Sequence, residues 1–249
     1  WGLLGDTVTN FVTLVMFLGV SLLFFSAYVG GFYLIYENFR LFEITITPWS
    51  IFLCVVLADL AYYWEHRFMH RTGVGWMTHT VHHSSPHFNI SVAYRFGPLD
   101  GVMPFFFHLP LALLGFHPLL IFFAEQLVQL YQTALHTEAV GKLPKPIERV
   151  FNTPSHHRVH HGKNPQYMDK NYAGIFIVWD RLFGTFEEEK EIVVYGVTEP
   201  VNSVNPVIVF LHGFPRFFRA VRDTKGFGNK LACLWQPPGW RPRRQGDGR

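Results

Sequence analysis

Residues 7–36 read TVTNFVTLVMFLGVSLLFFSAYVGGFYLIY, thirty consecutive positions between Asp6 and Glu37 without an Asp, Glu, Lys or Arg. A bilayer core is crossed by about 20 helical residues. The run therefore predicts a spanning helix over about 8–36, with overhang or a kink near Gly30-Gly31. It is too long and wrongly flanked for a signal peptide, and no small-residue cleavage site follows it. A second span is expected over about 44–66, interrupted only by Asp59. The third apolar stretch, Gly101 to Thr137, holds one charge, Glu125, and a turn signal at Leu114-Gly115-Phe116-His117-Pro118. It reads as a hairpin of spans over about 98–115 and 117–136. The expected fold class is an all-α integral membrane protein. A single domain, 1–249, would have four transmembrane helices and a helical cap built from 66–97 and 137–249. The chain opens on Trp1 rather than Met, which leaves room for a preceding segment.

Charge supports this layout and orients it. Residues 1–140 carry 12 of the 39 Asp, Glu, Lys and Arg, and the remainder of the chain carries 27. Of the 21 Lys and Arg, only Arg40 falls in an outer loop; the other 20 lie beyond residue 65. The positive-inside rule makes their side cytoplasmic, and a bacterial inner membrane is expected ahead of an endoplasmic reticulum. The basic residues are scattered among apolar runs, which suits membrane lipids as partner and excludes nucleic acid. Two cysteines, Cys54 and Cys233, exclude a disulfide framework and a thiolate zinc finger. From Pro206 an apolar run passes into arginines set among phenylalanines, as at a membrane interface or on an amphipathic helix packed on the cap. A soluble helical protein with buried central helices is the competing fold.

Fourteen histidines are the anomaly. Eight fall into three clusters: His66 and His70 at i, i+4; His79, His82 and His83; and His157, His160 and His161, both triplets at i, i+3, i+4. On a helix each spacing puts the imidazoles on one face. All lie at or just beyond the inner ends of expected spans, where His136 ends the fourth. Unpartnered buried imidazoles are costly, so these residues point to metal. One zinc ion takes about four ligands, so eight or nine point to two ions. The Glu and Glu-x-x-His ligands of soluble di-iron bundles and the HExxH of metalloproteases are absent. All-imidazole ligation suits iron, copper or zinc. His87, His108, His117 and His212 read as packing, turn or interface residues, and His156 as a residue behind the ligands.

HxxxH, HxxHH and HxxHH in this order between paired spans resemble the fatty acid hydroxylase/sterol desaturase superfamily of membrane di-iron oxygenases. The segments NTPSHHRVHHG (152–162), DKNYAG (169–174) and WDRLFGTF (179–186) look most like its alkylglycerol monooxygenase branch and bacterial relatives. The resemblance covers about residues 55–200. It implies that His66, His70, His79, His82, His83, His157, His160 and His161 bind two irons and form the catalytic centre, with His136 a further ligand. Asn171 and Asp180 match family positions and are expected behind the ligands or as caps. The branch has Glu just after HxxxH where this chain has Arg71, and its members are longer, with more spans.

The implied reaction uses O2 and two external electrons to hydroxylate a C–H bond of an acyl, alkyl, sterol or isoprenoid lipid. A desaturase or ketolase on the same site, and a non-catalytic scaffold subunit of a larger membrane complex, are the alternatives. Arg67, Arg95 and Arg158 are candidates for an anionic substrate headgroup. No GxGxxG fingerprint, cluster-binding cysteine set or fused haem domain occurs. The electron donor is therefore external: a ferredoxin, a cytochrome or a reduced pterin.

Overall fold

The first helix, α1 (Leu3–Phe39), runs unbroken through Gly30-Gly31 for 37 residues, about 55 Å at 1.5 Å per residue. This computed structural model describes residues 2–242; residues 243–249, the far end of the expected cap, lie outside the described residues. The excess length is overhang rather than a kink. Asp6, Thr9, Asn10 and Thr13 are buried, whereas Phe32 is the one buried residue further along the helix. Side chains such as Leu22 and Leu23 are more than two-thirds exposed. Among the described residues α1 is the one helix long and apolar enough to cross a membrane, and its apolar window is almost wholly uncovered by protein. A central helix of a soluble fold would be covered, since an exposed apolar patch of this size is not stable in water.

Thr47 and Ser50 form a capping box, and Pro48 follows at the first helical position to open α2 (Pro48–Arg71). This helix does not coincide with the expected second span at either end. Residues 44–47 are not helical, and α2 continues five residues past 66, so His66 and His70 stand on the long helix itself. Asp59, read from sequence as an interruption, is fully buried. It accepts N–H bonds from Ile175, Phe176 and Trp179 Nε1 of the cap at 2.6, 2.9 and 2.9 Å. Thr72 ends α2 and caps α3 (Gly73–His83) with its side chain. A short 3-10 turn follows at Ile90–Tyr94.

The expected hairpin is α4 (Met103–Leu114) and α5 (Pro118–Leu135). At 12 residues α4 is shorter than the expected span 98–115 and reaches only about 18 Å. The residues before it are held in a turn by Asp100, which accepts from Gly97 N and Thr78 Oγ1. Gly115 closes α4 at φ 110°, a left-handed conformation that glycine adopts freely. A Cβ there would also collide with the Phe42 carbonyl. Leu41 N donates to Leu113 O in the same place. The α1–α2 and α4–α5 connections therefore meet at one end of the bundle, and the histidines gather at the other.

The cap continues through α6 (Lys145–Val150), α7 (Pro154–His160), α8 (Val178–Leu182), α9 (Pro206–Leu211), α10 (Gly213–Asp223) and α11 (Phe227–Trp235). Arg95 ties α1 into this cap. Its buried guanidinium donates to Asp6 Oδ1, Asn10 Oδ1, Ser84 Oγ and Val81 O at 2.7–3.0 Å.

Candidate metal centre

Four elements deliver nine imidazoles. α2 presents His66 and His70 one turn apart, and α3 presents His79, His82 and His83. His136 caps the C-terminus of α5. Thr153 caps α7 and Pro154 opens it, turning His157 and His160 inward, with His161 as its C-cap. The nine form two groups: His66, His70, His79, His83 and His160, and His82, His136, His157 and His161. Within each group the available nitrogens all lie within 4.8 Å of one another. The groups adjoin, the His83 ring stacking on His161 with centroids 4.4 Å apart.

The far side of several rings is fixed by backbone. His66 Nδ1 lies 2.8 Å from Tyr172 O, His82 Nδ1 3.2 Å from Arg95 O, His136 Nδ1 2.8 Å from Gln132 O and His160 Nδ1 3.0 Å from Lys170 O. A carbonyl only accepts, so each Nδ1 carries the proton and each Nε2 is left with a lone pair facing inward. This is how proteins orient metal-bound imidazoles. The inward nitrogens crowd: His66 and His79 Nε2 are 3.1 Å apart, His82 and His136 3.3 Å, and His157 and His136 3.0 Å. Nε2 of His70, His83, His160 and His161 has no hydrogen-bond partner although buried. Converging, unpartnered lone pairs at ligand–ligand spacing fit metal cations, and neither group includes a carboxylate.

Burial holds the capping imidazoles neutral. The His82 value falls to about 4 and the His160 value to about 3; burial likewise pushes His79, His83, His157 and His161 well down. An unfolded chain takes up these protons near pH 6.5, so below that pH it binds more protons than the fold does. Stability is therefore fully present above about pH 6.5 and is lost as pH falls toward 4. The melting temperature of the metal-free protein is expected to drop by about 10 °C between pH 7 and 5. Calorimetry in detergent checks this, and a flat profile would contradict it.

The remaining expected residues fall into place unevenly. Asp180, its carboxyl pushed up chiefly by burial, accepts from Tyr172 N, Ala173 N and Thr185 Oγ1. It thereby holds the segment whose Tyr172 carbonyl orients His66. Asn171, in a left-handed conformation at φ 55°, bridges His156 O and the Glu187 backbone and so pins the 170s loop over α7. His156 lies outside both histidine groups, and its ring faces Glu148 and Phe186.

Two of the three candidate headgroup arginines use their donors internally. Arg95 pairs with Asp6, and Arg158 makes a two-pronged pair with Glu189 and bonds the Thr137 and Val140 carbonyls. Arg67 alone faces a cavity, a depression of about 300 Å³ shared with Arg71, Lys170 and Tyr172.

A larger cavity, about 680 Å³, lies between α1, α2, α4 and α5, and its wall includes His79, His82 and His136. Sequence reasoning passed over Glu65, Glu125 and Tyr28 on that wall, and read His108 as packing. Their signal was present, since Glu125 is the one charge in an otherwise apolar stretch of 37 residues.

An all-helical protein whose nine buried histidines form two metal-type groups is the class these observations define. The chain belongs to the fatty acid hydroxylase family, whose pattern it matches over residues 51–185, more than half of its length and inclusive of all nine histidines. It is 41% identical to alkylglycerol monooxygenase of Homo sapiens over 243 residues, 97% of this chain and 54% of that protein. It is 31% identical to ornithine lipid hydroxylase OlsE of Rhizobium tropici over 138 residues, 55% of this chain and 41% of that one. With lathosterol oxidase of Homo sapiens it shares 26% over 150 residues, 60% and 48% of the respective chains. The chain spans about half the length of the curated relatives it matches. No solved structure matches it.

Proposed function

We propose that this protein is a membrane oxygenase that hydroxylates a C–H bond of a lipid, with two irons held by His66, His70, His79, His83 and His160 and by His82, His136, His157 and His161. The observation that carries this reading is the 680 Å³ cavity, which is predominantly apolar and has His79, His82 and His136 in its wall. An alkyl chain lying there would bring one carbon to the imidazole groups. Bound iron would supply the oxygen-activating chemistry; the chain's own residues position the carbon and keep water out.

The rings are held by the Tyr172, Arg95, Gln132 and Lys170 carbonyls, so the centre is organised before a substrate arrives. Phe17, Phe24 and Phe122 line the apolar part of the cavity. They offer a chain a surface with no hydrogen bonds to lose and a side entrance between α1 and α5, where Phe24 and Leu130 are exposed.

Four membrane-embedded helices are part of the same proposal, with the cap on the cytoplasmic side. The common end shared by the α1–α2 and α4–α5 connections supports it, as does the uncovered apolar surface of α1, α2 and α5. The α4 helix would enter the bilayer without crossing its full thickness. Electrons come from outside the chain, and the depression beside Tyr172, where Arg67, Arg71 and Lys170 outnumber Asp169, the partner of Arg71, is a fitting approach for an anionic donor or headgroup.

The test is comparative lipid mass spectrometry of cells with the intact protein and with His160→Ala, followed by purified protein supplied with iron, reductant, O2 and extracted lipid. An oxygenated lipid made only by the intact protein is expected. Identical lipid profiles, together with no product from several lipid classes at full iron occupancy, would overturn the proposal.

A further inference from the structure

The α10–α11 hairpin supplies nothing to the metal centre, and its two faces differ in kind. One face packs on α3. Gly213 of α10 lies against Met77 O, and the Phe217 ring lies against Gly73. On α11 the Cys233 carbonyl comes so close to Gly73 that a Cβ there would have no room. The opposite face is uncovered. On α11 it carries Phe227, Leu231 and Trp235 at i, i+4 and i+8, exposed by 78%, 45% and 62%. On α10 it carries Phe218, 59% exposed, with the exposed Arg219 and Arg222 beside it.

Water is a poor neighbour for this face. A helix that packs through one stripe ordinarily turns polar residues outward, whereas α11 turns out an aromatic and aliphatic stripe. Exposed apolar residues rimmed by polar ones mark a membrane or partner surface. Charge and position favour the bilayer. Residues 213–235 hold five basic side chains, Arg216, Arg219, Arg222, Lys225 and Lys230, against one acid, Asp223. Arg216 faces Glu199 at 3.8 Å and Arg222 faces Asp223 at 2.8 Å. Among the described residues Arg219, Lys225 and Lys230 pair with no carboxylate. The Trp235 ring lies 6.3 Å from that of Phe68 on α2, which lies 5.4 Å from that of Phe107 on α4. The stripe is thus continuous with the uncovered apolar exterior of α2 and α4, where Trp64 and Phe106 are exposed. Tryptophan beside Arg and Lys is the composition of a bilayer–water boundary.

We infer that the α10–α11 hairpin is a docking surface for anionic phospholipid headgroups. Phe218, Phe227, Leu231 and Trp235 enter the acyl boundary, and Arg219, Arg222, Lys225 and Lys230 meet the phosphates. Of the proposed function the surface requires only the embedding of the helices and none of the oxygenase chemistry, so either can fail alone.

The experiment is hydrogen exchange, read by mass spectrometry, on the purified full chain in two kinds of nanodisc. One is phosphatidylcholine alone, and the other contains about one quarter phosphatidylglycerol. A basic residue at an anionic surface is worth about fivefold in an equilibrium constant before screening by salt. Amides of 213–235 should therefore exchange at least about tenfold more slowly with phosphatidylglycerol present. Raising the salt to about 0.5 M should remove most of the difference. The double variant Arg219→Gln, Arg222→Gln should reduce it to about threefold, and Arg219→Lys, Arg222→Lys should retain it, because both headgroup contacts need charge. Helicity and melting temperature establish that the variants fold, and the lipid and salt comparisons on the intact protein decide the matter if they do not. Equal exchange in the two nanodiscs overturns the inference and leaves the face to a protein partner. Slowing that resists salt, or that persists undiminished in the folded glutamine variant, overturns it as well. None of these readouts depends on product formation.

Discussion

Replacing His160 with alanine should reduce bound iron from two per chain to at most one and lower lipid oxygenation by at least about 100-fold. The residue's position explains the size of the effect. Loss of a partner behind a metal ligand typically costs 10–100-fold, and His160 is itself proposed as a ligand. Its Nε2 is buried and unpartnered, and its Nδ1 is anchored on Lys170 O. Its ring lies against those of His66, His70 and His83, at centroid distances of 4.3–4.8 Å. His156→Ala, four residues away on the same segment, should keep both irons, because that ring faces Glu148 and Phe186. Metal analysis by mass spectrometry beside a product assay separates the two variants. Equal iron in His160→Ala and in the intact protein would remove His160 from the ligand set.

Arg95→Ala should destabilise the fold by about 3–5 kcal/mol, the usual cost of leaving a buried charge without its partner. The guanidinium is 1% exposed, and Asp6 opposite it is 3% exposed. Its loss strands Asp6 Oδ1 and Asn10 Oδ1 in the contact between α1 and the cap. The double variant Asp6→Leu, Arg95→Met should recover a large part of the loss, since an apolar pair leaves no charge uncompensated. Chemical denaturation in detergent, read as a double-mutant cycle, measures both values. A single-variant cost below about 1 kcal/mol would show that the pair does not hold α1 to the cap.

The metal groups were legible in sequence because helical spacing alone aligns imidazoles, and all nine candidates fell into the two groups. The turn at Gly115 was legible for the same local reason. Long-range partners were not. Arg95 and Arg158 lie in or near histidine motifs, and their type fits a headgroup as well as an internal ion pair. Only the packing of α1 against the 80s and 90s, and of residue 189 against α7, decides between them.

Charges within apolar runs were misread in a consistent way. Asp59 counted as an interruption of a span and Glu125 only as a lone charge in an apolar stretch, whereas one receives three N–H groups from the cap and the other lines the cavity. Their partners lie 97 to 120 positions away, beyond the reach of any local pattern. Helix ends shifted for related reasons. The α2 helix runs on because its inner turns carry metal-group histidines, and α4 begins late because Asp100 builds a turn first.

X-ray absorption at the iron edge of the purified, iron-loaded protein tests the central claim most directly. Two irons per chain, surrounded by nitrogen and light oxygen donors with no sulfur neighbour, are expected from nine imidazoles and two distant cysteines. A single iron per chain, or iron that binds as well after His83 and His161 are both replaced, would contradict it.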